Sequence, residues 1–371
     1  MSGGLLQDGG EQCSGDTARN QLFLAGMEDR TKAAATMAEI ARIAGVSVST
    51  VSRALSGSTL VASAKREEIL QLARDSGYAV HPKARQLRLK RTQTLGIIIP
   101  LGHESAQSLT DPFLSQLLLQ LVEEITLRGY GVLLQKLLSP APDWLAQLVS
   151  SGRADGFIVV GQSDEREVLQ AVAEVYLPLV VWGGRWEGDR YCTVGTDHRA
   201  GGRAVTRHLI DRGRRQLVFL GSRRPPEIGL RYAGYVEALN EASQSLAGLA
   251  PPRAVETRLT MNGADDAVRE LIASGVTFDA LVCATDVIAF GALRALAAAG
   301  RTVPGEVAVT GYDDLPLASK ANPPLTTIRQ DVALAAATMV ERLFRRMDGH
   351  DLPSVTLPTE LVVRESSGDV G

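Results

Sequence analysis

From Thr94 onward the sequence alternates short apolar runs with longer stretches of helical periodicity, and that alternation limits the fold more than any other feature. The runs are LGIIIP at 95–100, YGVLL at 130–134, GFIVV at 156–160, LVVW at 179–182, QLVFLG at 216–221, ALVCA at 280–284 and VAVTGYDD at 307–314. Between them lie amphipathic stretches: through Arg128, near Trp144, near Val168, from Ala200 to Arg212, from Leu230 to Glu241, around Ala267, and from Asp286 to Ala299. Strands and helices in this order predict parallel sheets covered by helices on both faces. There are enough units for two such sheets, dividing near Gly195, with no close sequence repeat between the halves. The length of 371 residues agrees, being too long for one ordinary core and suited to two or three domains.

In open parallel sheets, ligands bind beyond the carboxyl ends of the strands, and a cleft between two sheets collects those ends from both. The candidates by position are Asp111 and Phe113 after the first run, Trp182 after LVVW, Thr285 and Asp286 after ALVCA, and Asp313 after VAVTGY. Arg231 joins them from the start of a helix. Each has a plainer alternative: Asp286 as a helix cap, Asp313 and Asp314 as turn residues, Phe113 and Trp182 as core. An aromatic beside carboxylates and an Arg is nonetheless the composition that packs on a sugar face while fixing its hydroxyls.

The segment before the alternation has a different character. In TMAEIARIAGVSVSTVSRAL, residues 36–55, Thr36 and Glu39 have capping-box spacing, which predicts a helix from Met37. Met37, Ile40, Ala41 and Ala44 then fall on one buried face. Gly45 stops this helix, and Ser47 caps a second one with Val51, Ala54 and Leu55 inward. Val48, Ser49, Ser52 and Arg53 are left facing outward. Two short helices joined by a Gly-containing turn predict a helix-turn-helix, whose second helix enters the DNA major groove. Small hydroxyls permit close approach to phosphates and bases, and Arg53 can reach guanine O6 and N7 together. The competing reading is a helical hairpin with a merely solvated face.

Charge argues against that reading. Residues 36–92 hold ten Lys and Arg against four Asp and Glu, a net of +6, whereas residues 1–35 carry −2 and residues 93–371 carry −7. A basic head on an acidic body is what phosphate binding by one domain alone requires. A third helix over Ser63–Ser76, with Ile69, Leu72 and Ala73 inward and Gly77 as its stop, completes a three-helix domain at 35–80. HPKARQLRLKRT, residues 81–92, is a basic stretch that reads as a charged linker or as a hinge lying along DNA, with Leu87 its exposed apolar member. Residues 1–34 are rich in Gly and polar groups and are expected to be a disordered leader.

Other functions find little support. Cys13, Cys192 and Cys283 form no CxxC pair and no metal-ligand spacing, so neither a disulfide framework nor a zinc site is expected. The opening lacks a basic n-region before an apolar h-region, and no apolar run reaches membrane-spanning length, so the expected compartment is the cytoplasm. There is no GxSxG elbow, no P-loop and no HExxH, and no Cys stands beside a His. VGTDHRAGGRA places glycines before a helix without matching GxGxxG. No enzyme activity and no cofactor are expected.

These motifs resemble the LacI/GalR family of bacterial transcription regulators. MAEIARIAGVSVSTVSRAL, the Gly77-Tyr78 pair, RYAGYVEAL, CATD, VTGYDD and PPLTTIRQD occur in family order and spacing from Thr36 to Glu365. The resemblance implies an α/β chain with an N-terminal three-helix helix-turn-helix domain and a hinge at 81–92 that orders on operator DNA. A core at 93–365 follows, built of two doubly wound parallel-sheet subdomains like periplasmic sugar-binding proteins. It also implies a homodimer and three crossings between subdomains, the first subdomain taking about 95–194 and 331–348, the second about 195–326 and a final strand near 355–363. Carried over by position, specificity falls on Val48, Ser49 and Arg53, phosphate contact on Ser47, Thr50 and Ser52, and a minor-groove wedge on Leu87. Effector contact falls on Arg231 and Asp313, with Thr285 where many members have Asn. His81, Lys83 and Leu60 also depart from the usual family residues.

The function implied is a sequence-specific regulator, expected to be a repressor, whose affinity for double-stranded operator DNA is set by a small effector, expected to be a sugar. Arg223 and Arg224, after QLVFLG, raise the alternative of a sugar phosphate or other anionic metabolite. A transport-type binding protein and a sugar-processing enzyme are the remaining alternatives.

Overall fold

The computed structural model describes residues 36–56, 58–78, 91–100, 111–137, 141–162, 165–186 and 188–368. The leader and most of the hinge, including His81, Lys83 and Leu87, lie outside the described residues. The chain forms two compact units, residues 1–90 and 91–371.

The first unit contains α1 (Met37–Ala44), α2 (Val48–Leu55) and α3 (Ser63–Asp75). The Thr36 hydroxyl accepts the Glu39 amide at 3.3 Å, which supplies one half of the capping box. Gly45 takes φ 62°, the left-handed conformation that ends a helix without steric cost. Ser47 then caps α2 by accepting the Thr50 amide at 3.2 Å. Ile40, Ala41, Ala44, Val51, Ala54, Val61, Ile69 and Ala73 form one small core, with Met37, Leu55 and Leu72 packed at its edge. Ile40 and Ile69 are wholly buried, and a side chain of that size contributes about 1.5–3 kcal/mol on burial.

The second unit begins with β1 (Thr94–Pro100), α4 (Pro112–Leu127), β2 (Gly131–Leu137), α5 (Trp144–Ser150), β3 (Gly156–Val160), α6 (Arg166–Ala173), β4 (Leu179–Trp182) and β5 (Cys192–Thr196). It continues with α7 (His198–Asp211), β6 (Leu217–Leu220), α8 (Pro226–Ser243), β7 (Arg253–Val255), α9 (Met261–Ala273), β8 (Ala280–Cys283), α10 (Asp286–Ala298) and β9 (Ala308–Asp313). The last elements are β10 (Thr326–Gln330), α11 (Val332–Met347), β11 (Val355–Leu357) and β12 (Thr359–Val362).

The strands make two six-stranded sheets of the same plan, ordered β11-β5-β4-β3-β1-β2 and β12-β10-β9-β8-β6-β7. The pairings are parallel except for β10 with β12. Strand β1 shows why its sequence is continuously apolar. Leu95, Ile97 and Ile99 pack on one face against α4 and α11, while Ile98 packs on the other with Trp144, Leu145 and Leu169.

The sheets also share a repeated device that sequence identity does not reveal. Before β3, Asp155 accepts the amides of Thr92 and Gln93 at 2.5 and 2.9 Å. Before β8, Asp279 accepts those of Arg215 and Gln216 at 2.7 and 2.9 Å. Each carboxylate therefore ties the entry of its sheet's first strand to the entry of the neighbouring strand.

Several boundaries differ from the sequence reading. Helix α7 starts at His198 rather than Ala200 because Asp197 caps it through the Ala200 amide at 2.9 Å. Helix α8 starts at Pro226, where a proline's fixed φ suits a first turn. The short strands β5, β7 and β10 were not picked out from the apolar runs. The supposed final strand near 355–363 of the second subdomain is two strands in different sheets. Val355–Leu357 pairs with β5 in the first sheet, and Thr359–Val362 pairs with β10 in the second. Pro358 separates them; lacking an N–H, it cannot continue a ladder. The chain crosses between sheets there, after Thr196, and after Gln330. Among the described residues, no helix is long and apolar enough to cross a membrane.

Candidate functional site

The outward side of α2 is a cluster of hydroxyls. Ser47 Oγ lies 2.7 Å from Ser49 Oγ and 2.9 Å from Thr50 Oγ1. Val48 is 47% exposed, Ser49 and Arg53 are exposed, and Thr50 and Ser52 are half-buried. The helix has no acidic residue in its first turn and carries Arg53 in its last. Its surface therefore offers hydroxyls at the positive end of the helix dipole and a guanidinium one turn along, the chemistry needed to meet phosphates and a base edge.

In the second unit, a cavity of about 140 Å³ lies at the carboxyl ends of the strands of both sheets. The first sheet supplies Asp111, Phe113, Gln162 and Trp182 to its wall; the second supplies His198, Glu227, Arg231, Thr285 and Asp313, and Gln330 stands at a crossing. Six of the seven residues named from sequence thus meet there. Asp111 caps α4 through the Leu114 amide at 2.9 Å, and burial raises its pKa. The Phe113 and Trp182 rings lie 6.1 Å apart, tilted by 38°. Thr285 is itself the cap of α10, accepting the Ile288 amide at 3.2 Å.

Asp313 and Arg231 form the polar centre. Arg231 Nη2 lies 3.8 Å from Asp313 Oδ1 with both side chains buried, and Arg231 Nη1 donates to the Ala284 carbonyl at 2.5 Å. Its Nε donates to His198 Nδ1 at 3.4 Å. Burial, reinforced by the Arg231 charge, pushes the His198 pKa well down. The imidazole is therefore neutral, with its hydrogen on Nε2. Gln330 Nε2 donates to Asp313 Oδ1 at 2.8 Å, and Thr196 donates to Gln330 Oε1 at 2.7 Å. Burial pushes the Asp313 pKa well up; Arg231 opposes that shift, while Asp286 and Asp111 add to it. On the opposite wall, Gln162 donates to the Gly184 carbonyl at 2.6 Å and accepts from Trp186 Nε1 at 3.0 Å.

Asp286 is a correction. It does not line the cavity and is wholly buried. Its carboxylate accepts the Leu315 amide at 2.7 Å and the Thr327 hydroxyl at 2.6 Å. Nor does it cap its helix, since Thr285 does. Arg223 and Arg224 are exposed and absent from the cavity wall; Arg223 pairs with Glu256 at 2.9 Å. Gln162, His198, Glu227 and Gln330 were missed. Gln162 and Gln330 stand at strand ends, as the positional rule requires, but sequence selection favoured charged and aromatic types.

Among the described residues, no group of three or more His, Cys, Asp or Glu side chains is placed to hold a metal ion. Among the described residues, the cavity wall combines two aromatic rings, three carboxyls, two amides, an imidazole and one guanidinium, and it can bind a polar molecule from both sides.

Two family profiles match the chain: "Bacterial regulatory proteins, lacI family" over residues 36–81 and "Periplasmic binding protein-like domain" over residues 206–367. The HTH-type transcriptional regulator CelR of Thermobifida fusca is 31% identical over 342 residues, covering 89% of this chain and 98% of that protein. The HTH-type transcriptional repressor PurR of Pasteurella multocida is 28% identical, covering 90% and 98%. Among solved structures, a CelR–cellobiose complex superposes with a TM-score of 0.63 at 29% identity, covering 90% of this chain and 99% of that one. A lac repressor dimer bound to operator and the anti-inducer ONPF superposes at 0.78 with 24% identity and the same coverage, a likeness of fold. The chain belongs to the LacI family of bacterial regulatory proteins and is a DNA-binding transcriptional regulator, not an enzyme.

Proposed function

We propose that this regulator is a cytoplasmic, homodimeric repressor whose affinity for operator DNA is set by a neutral sugar bound between its two sheets. The observation that carries the reading is the make-up of the cavity. Its described wall holds the carboxyls of Asp111, Glu227 and Asp313 against one cation, Arg231, already engaged by Ala284, His198 and Asp313. Such a wall offers many partners to hydroxyl groups and, among its described residues, no cation beyond Arg231 to pair with a phosphate, while Phe113 and Trp182 offer apolar faces to a sugar ring. The anionic alternative rests on Arg223 and Arg224, which are exposed and are not among the described residues that line the cavity. The solved CelR relative is a cellobiose complex, which supports a sugar here.

In this reading Asp111, Phe113, Trp182, Arg231, Thr285 and Asp313 hold the effector, joined by Gln162, His198 and Gln330. Arg53 reads a base beside Val48 and Ser49, Ser47, Thr50 and Ser52 meet phosphates, and Leu87 enters the minor groove. Because the effector touches both sheets, it favours one relative arrangement of them, and only such a difference in affinity can shift the DNA-competent population.

The test is a thermal-shift screen of the full chain with cellobiose, other neutral mono- and disaccharides, and sugar phosphates. A ligand that binds only the folded state raises Tm. A shift with neutral sugars alone is expected; a shift confined to phosphorylated sugars overturns the reading.

A further inference from the structure

Two successive non-glycine residues have positive φ: Asp313, in the wall of the cavity, at 119°, and Asp314, which follows it, at 54°. An L-residue in this region is strained, and such strain persists only where its surroundings over-determine it. The surroundings hold the pair from two directions: Arg329 and Arg364 grip the Asp314 carboxylate at 2.7 and 2.6 Å, and one buried side chain ties the backbone. Asp286, at the first turn of α10, holds the backbone beyond the strained pair through the Leu315 amide, at 2.7 Å to Oδ2. Its Oδ1 takes the Thr327 hydroxyl of β10 at 2.6 Å, and Thr327 in turn accepts the Asp314 amide at 3.4 Å. The neighbouring Gly311 is required by the same arrangement, because a Cβ there would overlap Asp286 Oδ1.

We infer that Asp286 is the positioning residue of the effector site: through the Leu315 amide and the Thr327 hydroxyl it fixes the left-handed Asp313–Asp314 backbone and so aims the Asp313 carboxyl into the cavity. The inference rests on the reading of the cavity as the effector site. Asp286 touches no ligand in this arrangement, yet effector affinity depends on it. A misplacement of the order of 1 Å at a polar contact is enough to lose it.

The chemistry distinguishes this role from bulk support. In Asp286→Asn, the amide oxygen can accept from Leu315 and the amide nitrogen can donate to Thr327, so both ties survive. Asp286→Ala removes both. Thr327→Val removes the tie to Asp314 while keeping the shape of the side chain.

The experiment has two readouts on the full-length protein. Amide hydrogen exchange of the peptide spanning 311–317 is measured without ligand, and cellobiose affinity is measured by calorimetry. In Asp286→Ala, exchange across 313–315 should rise at least tenfold and cellobiose binding weaken at least tenfold. Asp286→Asn should stay within threefold of the parent on both, and Thr327→Val should move in the direction of Asp286→Ala. If Asp286→Ala does not fold, Thr327→Val and Asp286→Asn decide. Unchanged exchange across 313–315 in a folded Asp286→Ala or Thr327→Val protein overturns the proposal, as does cellobiose affinity equal to the parent's. If the parent itself does not bind cellobiose, the reading of the cavity has failed for that sugar, and the exchange measurement still decides whether Asp286 holds the strained pair.

Discussion

The guanidinium carbon of Arg231 lies 3.7 Å from the centre of the Tyr312 ring. The only Arg or Lys among the described cavity residues is therefore held against an aromatic face as well as by the Ala284 carbonyl and His198. A desolvated cation–π contact of this kind contributes about 2 kcal/mol or more. Tyr312→Leu should therefore weaken effector binding by about ten- to thirtyfold, while Tyr312→Phe, which keeps the ring, should stay close to the parent. Calorimetry with the sugar identified by the screen checks both variants, and a Tyr312→Leu protein that binds as the parent does would sink the ring's role.

At the other functional surface, Arg53 and Ser47 should fail in different ways. Loss of a bidentate Arg contact costs about 1–3 kcal/mol and relaxes preference at one base pair. Ser47→Ala should instead weaken all operator variants alike and also lower the stability of the first unit, since removing a helix cap costs about 0.5–2 kcal/mol. Binding titrations against an operator and its single-base variants separate the two. Equal losses on every variant for Arg53→Ala would remove its base-reading role.

Burial raises the Asp286 carboxyl to about 7 from an ordinary 3.8. The Thr327 hydroxyl, the Leu315 amide and Arg364 oppose the shift, the Asp314 charge adds to it, and the Asp313 carboxyl and the Cys283 thiol also face it. A carboxyl whose folded-state pKa is raised contributes stability that is fully present below the unfolded pKa and is lost as pH rises through the folded one. Asp286→Asn lacks that loss. Its Tm relative to the parent should therefore improve by several degrees as pH rises from 5 to 8, then level off. A Tm difference independent of pH would show that Asp286 does not titrate in this window.

The alternation of apolar runs was enough to place both sheets, because strands buried on two faces must be continuously apolar. Strands β5, β7 and β10 escaped because CTVGT, RAV and TTIRQ are short, polar in part, or both. The positional rule for strand ends named Asp111, Phe113, Trp182, Thr285 and Asp313, and a helix start added Arg231; all six line the cavity. It also admitted Asp286, since residue number does not say whether a side chain turns into the crevice or beneath the sheet. The difference depends on Thr327 and the Leu315 amide, brought to Asp286 by strands far apart in sequence. His198 and Gln330 have the same origin: their partners Arg231 and Asp313 are supplied by the fold, not by neighbouring residues.

The most direct test of the account is the operator affinity of the full-length protein with and without the sugar that raises its Tm, repeated for Asp313→Ala and Arg231→Ala, each with its own ligand-free affinity as reference. The parent should change affinity at least tenfold, which corresponds to about 1.4 kcal/mol of coupling, and both variants should lose that response. Variants that bind the sugar and respond as the parent does would contradict the assignment of the cavity as the site that controls DNA binding.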